Sequence, residues 1–166
     1  MKEVVINETD IVSAANEGMD SFLSLFVKSI KDSIGGELTT ETMPMLNVNQ
    51  ITLLAYDIFH EEVMDGGFVQ LIHNGYGGFQ NPFAKVLKMW GLRDLSKLIY
   101  NGKELYFKYK DKLEKDCSDE EFMALFEQFP EFDDLDDDFV EHEEKWTEQI
   151  AIYVDEHISD FARVER

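Results

Sequence analysis

Residues 64–79 read MDGGFVQLIHNGYGGF and contain five glycines, at positions 66, 67, 75, 77 and 78. Glycine is the poorest ordinary helix former, because it loses the most backbone freedom on folding. The flanking sequence has helical periodicity, so the glycines mark backbone that must turn sharply or approach a neighbour closely. We predict that Gly66-Gly67 ends one helix and that a short helix follows over 68–73, closed by Asn74-Gly75.

Apolar residues recur at helical spacing along most of the remaining chain. They predict helices over 10–34 with Gly18 inside, from Asn47 or Asn49 to 63, from Asn81-Pro82 to 90, over 93–113 with an interruption near Gly102, from Ser118 to 129, and over 137–158. Gly35-Gly36 should end the first of these helices, and Asn47 or Asn49 should cap the second. Ser118 and Glu121 fit a capping box at the start of the helix over 118–129. We find no convincing strand and no internal repeat. The predicted fold is all-α, a single multi-helix domain over residues 1–166 with about six to eight helices and an acidic C-terminal third.

The formal net charge is -20, from 35 acidic and 15 basic residues. A chain this acidic is repelled by nucleic acids and anionic membranes and attracts basic partners. The hydrophobic fraction of 44% is high enough for a substantial core. One cysteine, no apolar run of membrane-spanning length and an N-terminus without an apolar leader predict a soluble cytoplasmic protein. Its oligomeric state stays open between a monomer and a homodimer.

The acidic residues concentrate near the C-terminus, where residues 114–166 contain 20 acidic and 4 basic residues. The densest window, 131–144, reads EFDDLDDDFVEHEE and has nine carboxylates and no Lys or Arg. As a helix it would be about 21 Å long, roughly one charge per 2.3 Å, against about 1.7 Å for duplex DNA. Phe132, Leu135, Phe139 and Trp146 interleave at steps that would anchor one side to the core and leave carboxylates on the other.

An acidic run is commonly a solvated surface that keeps a protein soluble. Like charges at i,i+4 spacing destabilise a helix, however, and a solubilising surface usually mixes both signs. We therefore predict that the run binds a basic partner. The predicted partner-binding residues are Asp133, Asp134, Asp136, Asp137, Asp138, Glu141 and Glu144.

The acidic run resembles a calcium-binding loop at its first positions, since Asp134, Asp136 and Asp138 fit positions 1, 3 and 5. Position 6 should be Gly and is Phe139, and position 12 should be Glu and is Lys145. We reject an EF-hand, which leaves weak, non-specific divalent binding as an alternative.

The four histidines, His60, His73, His142 and His157, do not follow a zinc-ligand pattern. Cys117 lies among acidic residues, which disfavour a reactive thiolate. The glycine stretch lacks the spacing of a phosphate-binding loop. The sequence therefore predicts no metal site and no cofactor.

Two interpretations of the glycine stretch remain open. In the architectural one, the glycines form a corner of the fold and Phe68, Leu71 and Ile72 pack inward. In the enzymatic one, Gln70, His73 and Asn74 line a pocket.

The glycine stretch resembles the signature of the DNA mimic protein nineteen family, E-x-x-[ND]-G-G-F-x-Q-[FL]-[FI]-x-N-x-x-G. The matching signature residues are Glu62, Asp65, where asparagine is commoner, Gly66, Gly67, Phe68, Gln70, Leu71, Ile72 and Asn74. FEQFPEFDDLDDDF at 126–139 and Tyr153 are also similar to that family. The resemblance covers roughly residues 40–162.

This resemblance implies an all-helical fold, no known catalysis and, in the family's namesake, a DNA-like acidic surface that occupies a transcription factor. It implies no binding residues, which rest on the charge distribution alone. The leading hypothesis is a non-enzymatic acidic protein whose partner is a basic, DNA-binding protein such as a transcription factor. The alternatives are an immunity-type inhibitor of a cationic toxin or nuclease and an enzyme with a pocket at Gln70 to Asn74.

Overall fold

A computed structural model describes residues 3–76, 83–113 and 118–166, and the fold is all-α, as the sequence predicts. The elements are β1 Val5–Asn7, α1 Glu8–Glu17, α2 Met19–Ser33, a 3-10 turn at Met43–Met45, α3 Val48–Leu71, a π-helical turn at Ile72–Tyr76, α4 Phe83–Met89, α5 Arg93–Leu113, α6 Asp119–Gln128, α7 Glu131–Glu156, α8 Ile158–Phe161 and β2 Arg163–Glu165. None of the described helices combines the length and the apolar character that crossing a membrane requires.

The chain divides into two compact units. Unit 1 comprises Met1–Asp57 and Glu144–Arg166, and unit 2 comprises Ile58–Glu143. The boundaries between the units fall within α3 and α7. The single domain expected from chain length stays a prediction.

The predicted N-terminal helix over 10–34 is wrong in one respect, because unit 1 has two helices there. Gly18 lies between α1 and α2 with φ 131° and ψ 174°. This backbone conformation is not helical, and residues other than glycine rarely adopt it. Asn7 begins α1, since its side-chain oxygen accepts the Thr9 N–H at 2.8 Å. The end predicted at Gly35-Gly36 is confirmed, with α2 ending at Ser33.

The prediction of no strands is also wrong. β1 and β2 pair in parallel, with Val5 opposite Arg163 and Asn7 opposite Glu165. Each strand is three residues long, which is too short for an alternating pattern to stand out in the sequence. Ile6 in β1 is buried, so the pair closes over the core of unit 1.

The start of α3 confirms the proposed cap and identifies it as Asn47. The Asn47 side-chain oxygen accepts the Gln50 N–H at 2.8 Å, and the Gln50 side-chain oxygen accepts the Asn47 N–H at 3.0 Å. This reciprocal pair is a capping box. Gln50 Nε2 also donates to the Phe161 carbonyl at 2.9 Å, so the cap holds α8 against α3.

In unit 2, α5 is continuous, and the interruption predicted near Gly102 is wrong. Gly102 lies inside α5, and a Cβ there would lie 2.3 Å from the Phe68 ring. This glycine therefore permits a close side-chain contact. The predicted start of α4 at Asn81-Pro82 lies outside the described residues, whereas its end before Gly91 is confirmed within one residue.

The predicted capping box of α6 is confirmed by a hydrogen bond from the Glu121 N–H to Ser118 Oγ at 3.2 Å. The predicted start of the last helix at Asp137 is wrong, because α7 begins at Glu131, directly after Pro130. Proline is tolerated at the start of a helix, because the first N–H groups of a helix have no partner within it. The acidic first turn also favours this start, because carboxylates stabilise the positive end of the helix dipole.

Candidate functional site

The glycine corner lies within α3, where the helix is broken. Gly66 has φ -149° and ψ 17°, and Gly67 has φ 73° and ψ -174°, so neither residue is helical. The chain resumes helical geometry at Phe68 and passes through Asn74 in the π-helical turn, so the predicted closure at Asn74-Gly75 is wrong. The predicted break at Gly66-Gly67 is confirmed.

The corner is filled by a carboxylate from the acidic helix. Asp136 Oδ1 accepts the backbone N–H of Phe68 at 2.8 Å. A Cβ at Gly67 would lie 2.3 Å from Asp136 Oδ2, which is far inside van der Waals contact. Asp136 therefore satisfies the first free N–H after the break, a role usually taken by a neighbouring residue. Gly67 leaves the space that this carboxylate occupies.

The polar residues of the signature bond to one another. Gln70 Nε2 donates to Glu62 Oε2 at 3.0 Å and to Asp65 Oδ2 at 2.8 Å. Asn74 Nδ2 donates to the same Glu62 oxygen at 2.7 Å. The two side-chain amides thus hold two carboxylates close together across the corner, which supports the architectural interpretation of Gln70 and Asn74.

Phe68 joins three helices of unit 2. Its ring is fully buried, lies edge-on to Phe59 at a centroid distance of 5.4 Å, and stacks at 6.2 Å on Phe132 of α7. Gly102 of α5 lies against the same ring. The predicted inward packing is confirmed, since Phe68, Leu71 and Ile72 are all at most 2% exposed.

Helix α7 is anchored by its aromatic residues, as predicted. Phe132 and Phe139 are fully buried, and Phe139 meets Phe59 edge-on at 5.1 Å. Trp146 is also buried, and Leu135 is half-buried. One side of the helix is therefore fixed to the protein interior.

The carboxylates of the acidic run divide into two groups. Three have partners in unit 2 and are engaged there. Glu131 accepts hydrogen bonds from the Tyr109 hydroxyl and from Lys108 Nζ, Asp136 accepts the Phe68 N–H, and Glu143 contacts His60 Nε2 at 2.5 Å. The remaining six are exposed: Asp133, Asp134, Asp137, Asp138, Glu141 and Glu144. Of these, Asp138 contacts His142 Nδ1 of the same helix at 3.0 Å. Asp136, included in the predicted binding set, is placed at the corner, and Glu144 belongs to unit 1.

Burial raises the pKa of Asp136 to about 6. The hydrogen bond from the Phe68 N–H opposes this rise, because it stabilises the charged carboxylate. The neighbouring Asp133 and Asp137 charges raise this pKa further. The corner carboxylate thus titrates near pH 6, well above an ordinary aspartate.

His142 lies within the exposed acidic surface. Its Nδ1 donates to the Asp138 carbonyl at 2.9 Å, and this bond raises the pKa of His142, with help from the charges of Asp138 and Glu141. Asp138, Glu141 and His142 each offer one ligand atom, and these atoms lie within 4.8 Å of one another. The raised pKa works against metal binding, which requires neutral imidazole. Asp134, Asp136 and Asp138 lie on regular helix, not on a calcium-binding loop.

Helical periodicity in the sequence indicates that two of the engaged carboxylates lie on the buried side of α7. Asp136 and Glu143 fall at steps of three and four from Phe132, Phe139 and Trp146, so helical periodicity alone places them on the buried side. Their partners, Phe68 and His60, are 68 and 83 residues away along the chain, and no local pattern indicates them.

A protein-family model described as DMP19-like protein matches residues 45–157. The chain belongs to the DMP19 family. The resemblance of the glycine signature and the acidic run, expected over roughly residues 40–162, is thereby confirmed.

The chain is also similar to the DNA mimic protein DMP19 of Neisseria meningitidis serogroup B (strain ATCC BAA-335 / MC58). The two are 32% identical over 127 residues, which cover 75% of this chain and 77% of the relative. The DMP19-family match includes the glycine corner and all of α7, whereas α1, α2 and both strands lie outside it.

Proposed function

We propose that this protein is a non-enzymatic DNA mimic, whose exposed α7 carboxylates occupy the DNA-binding surface of a basic protein such as a transcription factor. The proposed binding surface in unit 2 consists of five residues, Asp133, Asp134, Asp137, Asp138 and Glu141, and we call it the α7 surface. The similarity to a protein named as a DNA mimic supports this function. Asp136 is left out because it is engaged at the corner.

The observation that carries the proposal is the spacing of the exposed charges. From Asp133 to Glu141 the helix rises by about 12 Å, so its five exposed carboxylates average roughly 3 Å of axial rise per charge. Phosphates along one strand of duplex DNA follow at about 3.4 Å. The charges on one side of α7 thus approximate the charge density of a single DNA strand.

The helix presents these charges on a fixed backbone. Phe132 and Phe139 are fully buried and Asp136 is bonded to Phe68, so α7 is held on the side away from the exposed carboxylates. A preorganised surface loses less conformational entropy on binding than a flexible acidic tail. This favours specific recognition over non-specific attraction.

The test begins with affinity capture from lysate of the source organism at low salt, followed by mass spectrometry. The captured protein is then titrated in competition with its own labelled DNA. The test variant is Asp137→Asn/Asp138→Asn/Glu141→Gln. The matched control, Asp10→Asn/Glu17→Gln/Asp20→Asn, removes the same number of exposed carboxylates from α1 and α2.

We expect the wild type and the control to displace DNA equally well, and the α7 variant to do so at least tenfold more weakly. Added salt should weaken partner binding, with a smaller dependence than DNA shows, because a folded helix carries fewer condensed counterions. Equal displacement by all three proteins would mean that the α7 carboxylates are only a solvated surface. Capture of a toxin or nuclease in place of a DNA-binding regulator would select the inhibitor hypothesis.

A further inference from the structure

The basic residues are segregated as strongly as the acidic ones. Residues 83–113, which contain α4 and α5, include eight of the 15 Lys and Arg residues and three acidic residues, a net charge of +5 in a chain of -20. These basic residues are Lys85, Lys88, Arg93, Lys97, Lys103, Lys108, Lys110 and Lys112. Unit 2 therefore contains a positive segment as well as the α7 surface.

Most of these cations form no ion pair with an acidic residue in the part of the chain that the structure describes. Elsewhere in the described chain, Lys28, Lys31, Arg163 and Arg166 form ion pairs, and on α5 Lys108 pairs with Glu131. The other seven basic residues of α4 and α5 have no carboxylate within 4.0 Å among the described residues. Seven of the eight cations are therefore available to an acidic partner, as far as the described residues show.

Several of them share one side of α5 with exposed aromatic rings. Arg93, Lys97, Tyr100, Lys103, Phe107 and Lys110 follow at steps of three or four residues, over about 25 Å of helix. We call this row the α5 face. Tyr100 is 43% exposed and Phe107 is 58% exposed, whereas Leu95, Ile99 and Tyr106 on the other side are buried. Glu104 and Asp111 lie on the same side of α5, four residues after Tyr100 and Phe107, and reduce the net charge of this side to +2.

Exposed aromatic rings set between cations are suited to a partner that offers both negative charge and apolar side chains. Aromatic side chains and arginine are the ones that most often anchor interfaces, whereas lysine charges at the rim mainly steer association. Met89 at the end of α4 is 75% exposed, and it adds apolar area to the same basic segment.

We propose that the α5 face binds an acidic protein segment carrying apolar side chains, such as an amphipathic acidic helix. A nucleic acid is the less suitable occupant, because its dense negative charge is repelled by a chain of net charge -20. A short acidic segment carries few negative charges, and its apolar side chains would stabilise the complex by burying Tyr100 and Phe107. This surface is separate from the α7 surface and does not depend on the function proposed for it.

The test uses a display library of random peptides about 16 residues long, long enough for four helical turns. Peptides are selected on the wild type and re-measured on Lys97→Glu/Phe107→Ser. The control, Lys145→Glu/Ile152→Ser, makes the same charge reversal and a similar apolar-to-polar change at exposed positions outside the α5 face. All four substituted side chains are exposed, and equal thermal midpoints would confirm that both variants fold like the wild type.

We expect the selected peptides to combine Asp or Glu with Leu or Phe, and to bind the wild type and the control alike. Binding to the α5 variant should fall at least tenfold. Selection of basic peptides alone, or equal binding to both variants, would overturn the proposal. So would tighter binding of single-stranded oligothymidylate at the same residues, which would assign the face to nucleic acid. Self-association lost only in the α5 variant would overturn it too, and would assign the face to a second copy of the chain.

Discussion

The Asp136 carboxylate occupies the space beside Gly67 at the corner of α3, so no larger residue fits at position 67. Gly67 has φ 73°, and any side chain there meets the Asp136 carboxylate. We expect Gly67→Ala to lower the free energy of unfolding by several kcal/mol, from about 1–3 kcal/mol of backbone strain plus the displacement of Asp136. Gly67→Val should cost more, since a branched side chain fits positive φ still less well. Chemical denaturation measures both values.

Gly35 provides the control for this substitution. Its φ of 80° is close to that of Gly67, but a Cβ there would meet no atom within 4 Å. Gly35→Ala should therefore show the backbone strain alone. If the two alanine variants lost equal stability, the contact with Asp136 would contribute nothing.

Asp136 should give the protein a pH-dependent stability component. Its pKa is about 6 in the folded state and near 3.8 as an ordinary aspartate, so the folded state binds this proton more tightly. The contribution is therefore favourable at low pH and is lost as pH rises through about 4 to 6. Asp136→Asn keeps an oxygen for the Phe68 N–H without the charge, so it should gain stability relative to the wild type across that range.

The alanine substitution separates the charge from the hydrogen bond. Asp136→Ala leaves the Phe68 N–H without its acceptor and should cost about 1–3 kcal/mol relative to Asp136→Asn at every pH. Urea unfolding of all three proteins at several pH values measures these differences. A stability difference between wild type and Asp136→Asn that did not vary with pH would contradict the raised pKa.

The sequence predicted that Gly66-Gly67 form a corner, because glycine pairs have a local structural meaning. It did not predict that Asp136 fills the corner, since the contact joins residues 68 positions apart and depends on packing. The same limit applies to Glu131, whose partner Tyr109 lies on α5. The exposed members of the acidic run were predictable, and the engaged members required the tertiary structure.

The carboxylates along helix α7 repel one another and destabilise the helix. Asp133, Asp137 and Glu141 follow one another at i,i+4 spacing, as do Asp134 and Asp138. Each such pair destabilises a helix by about 0.2–0.5 kcal/mol. We expect Asp137→Asn/Asp138→Asn/Glu141→Gln to raise the thermal midpoint slightly, as measured by circular dichroism.

The control triple variant should change stability in the opposite direction. Asp10 and Asp20 lie in the first turns of α1 and α2, where a carboxylate stabilises the helix dipole. Asp10→Asn/Glu17→Gln/Asp20→Asn should therefore lower the midpoint slightly. A fall in the α7 variant as well would show that its carboxylates do not repel one another measurably.

The helices that sequence predicted best are those with local end signals. Asn47, one of the two expected caps, begins α3, and Ser118 forms the expected capping box. The helix ends predicted at Gly35-Gly36 and Gly66-Gly67 are confirmed. The β1–β2 pair was missed because it joins strands from opposite ends of the chain. A three-residue strand has no periodicity to detect.

At the scale of the whole molecule, the net charge of -20 should make folding sensitive to salt. Compact structure brings like charges together, and self-repulsion weakens as the Debye length shortens from about 30 Å at 0.01 M to about 8 Å at 0.15 M. We expect the thermal midpoint to rise over this range of sodium chloride. A midpoint that did not depend on salt would contradict appreciable self-repulsion.

The corner carboxylate has a consequence for the heat of partner binding. Asp133 and Asp137 raise the pKa of Asp136, so a cationic partner that neutralises them should lower it and expel a proton near pH 6. His142, whose pKa the Asp138 and Glu141 charges help to raise, should release protons in the same way. Complex formation should then strengthen with rising pH, and its calorimetric enthalpy should vary between buffers of different ionisation enthalpy. The slope of binding enthalpy against buffer ionisation enthalpy gives the number of protons released. A zero slope at pH 6 would show that the bound partner does not change the pKa values of Asp136 and His142.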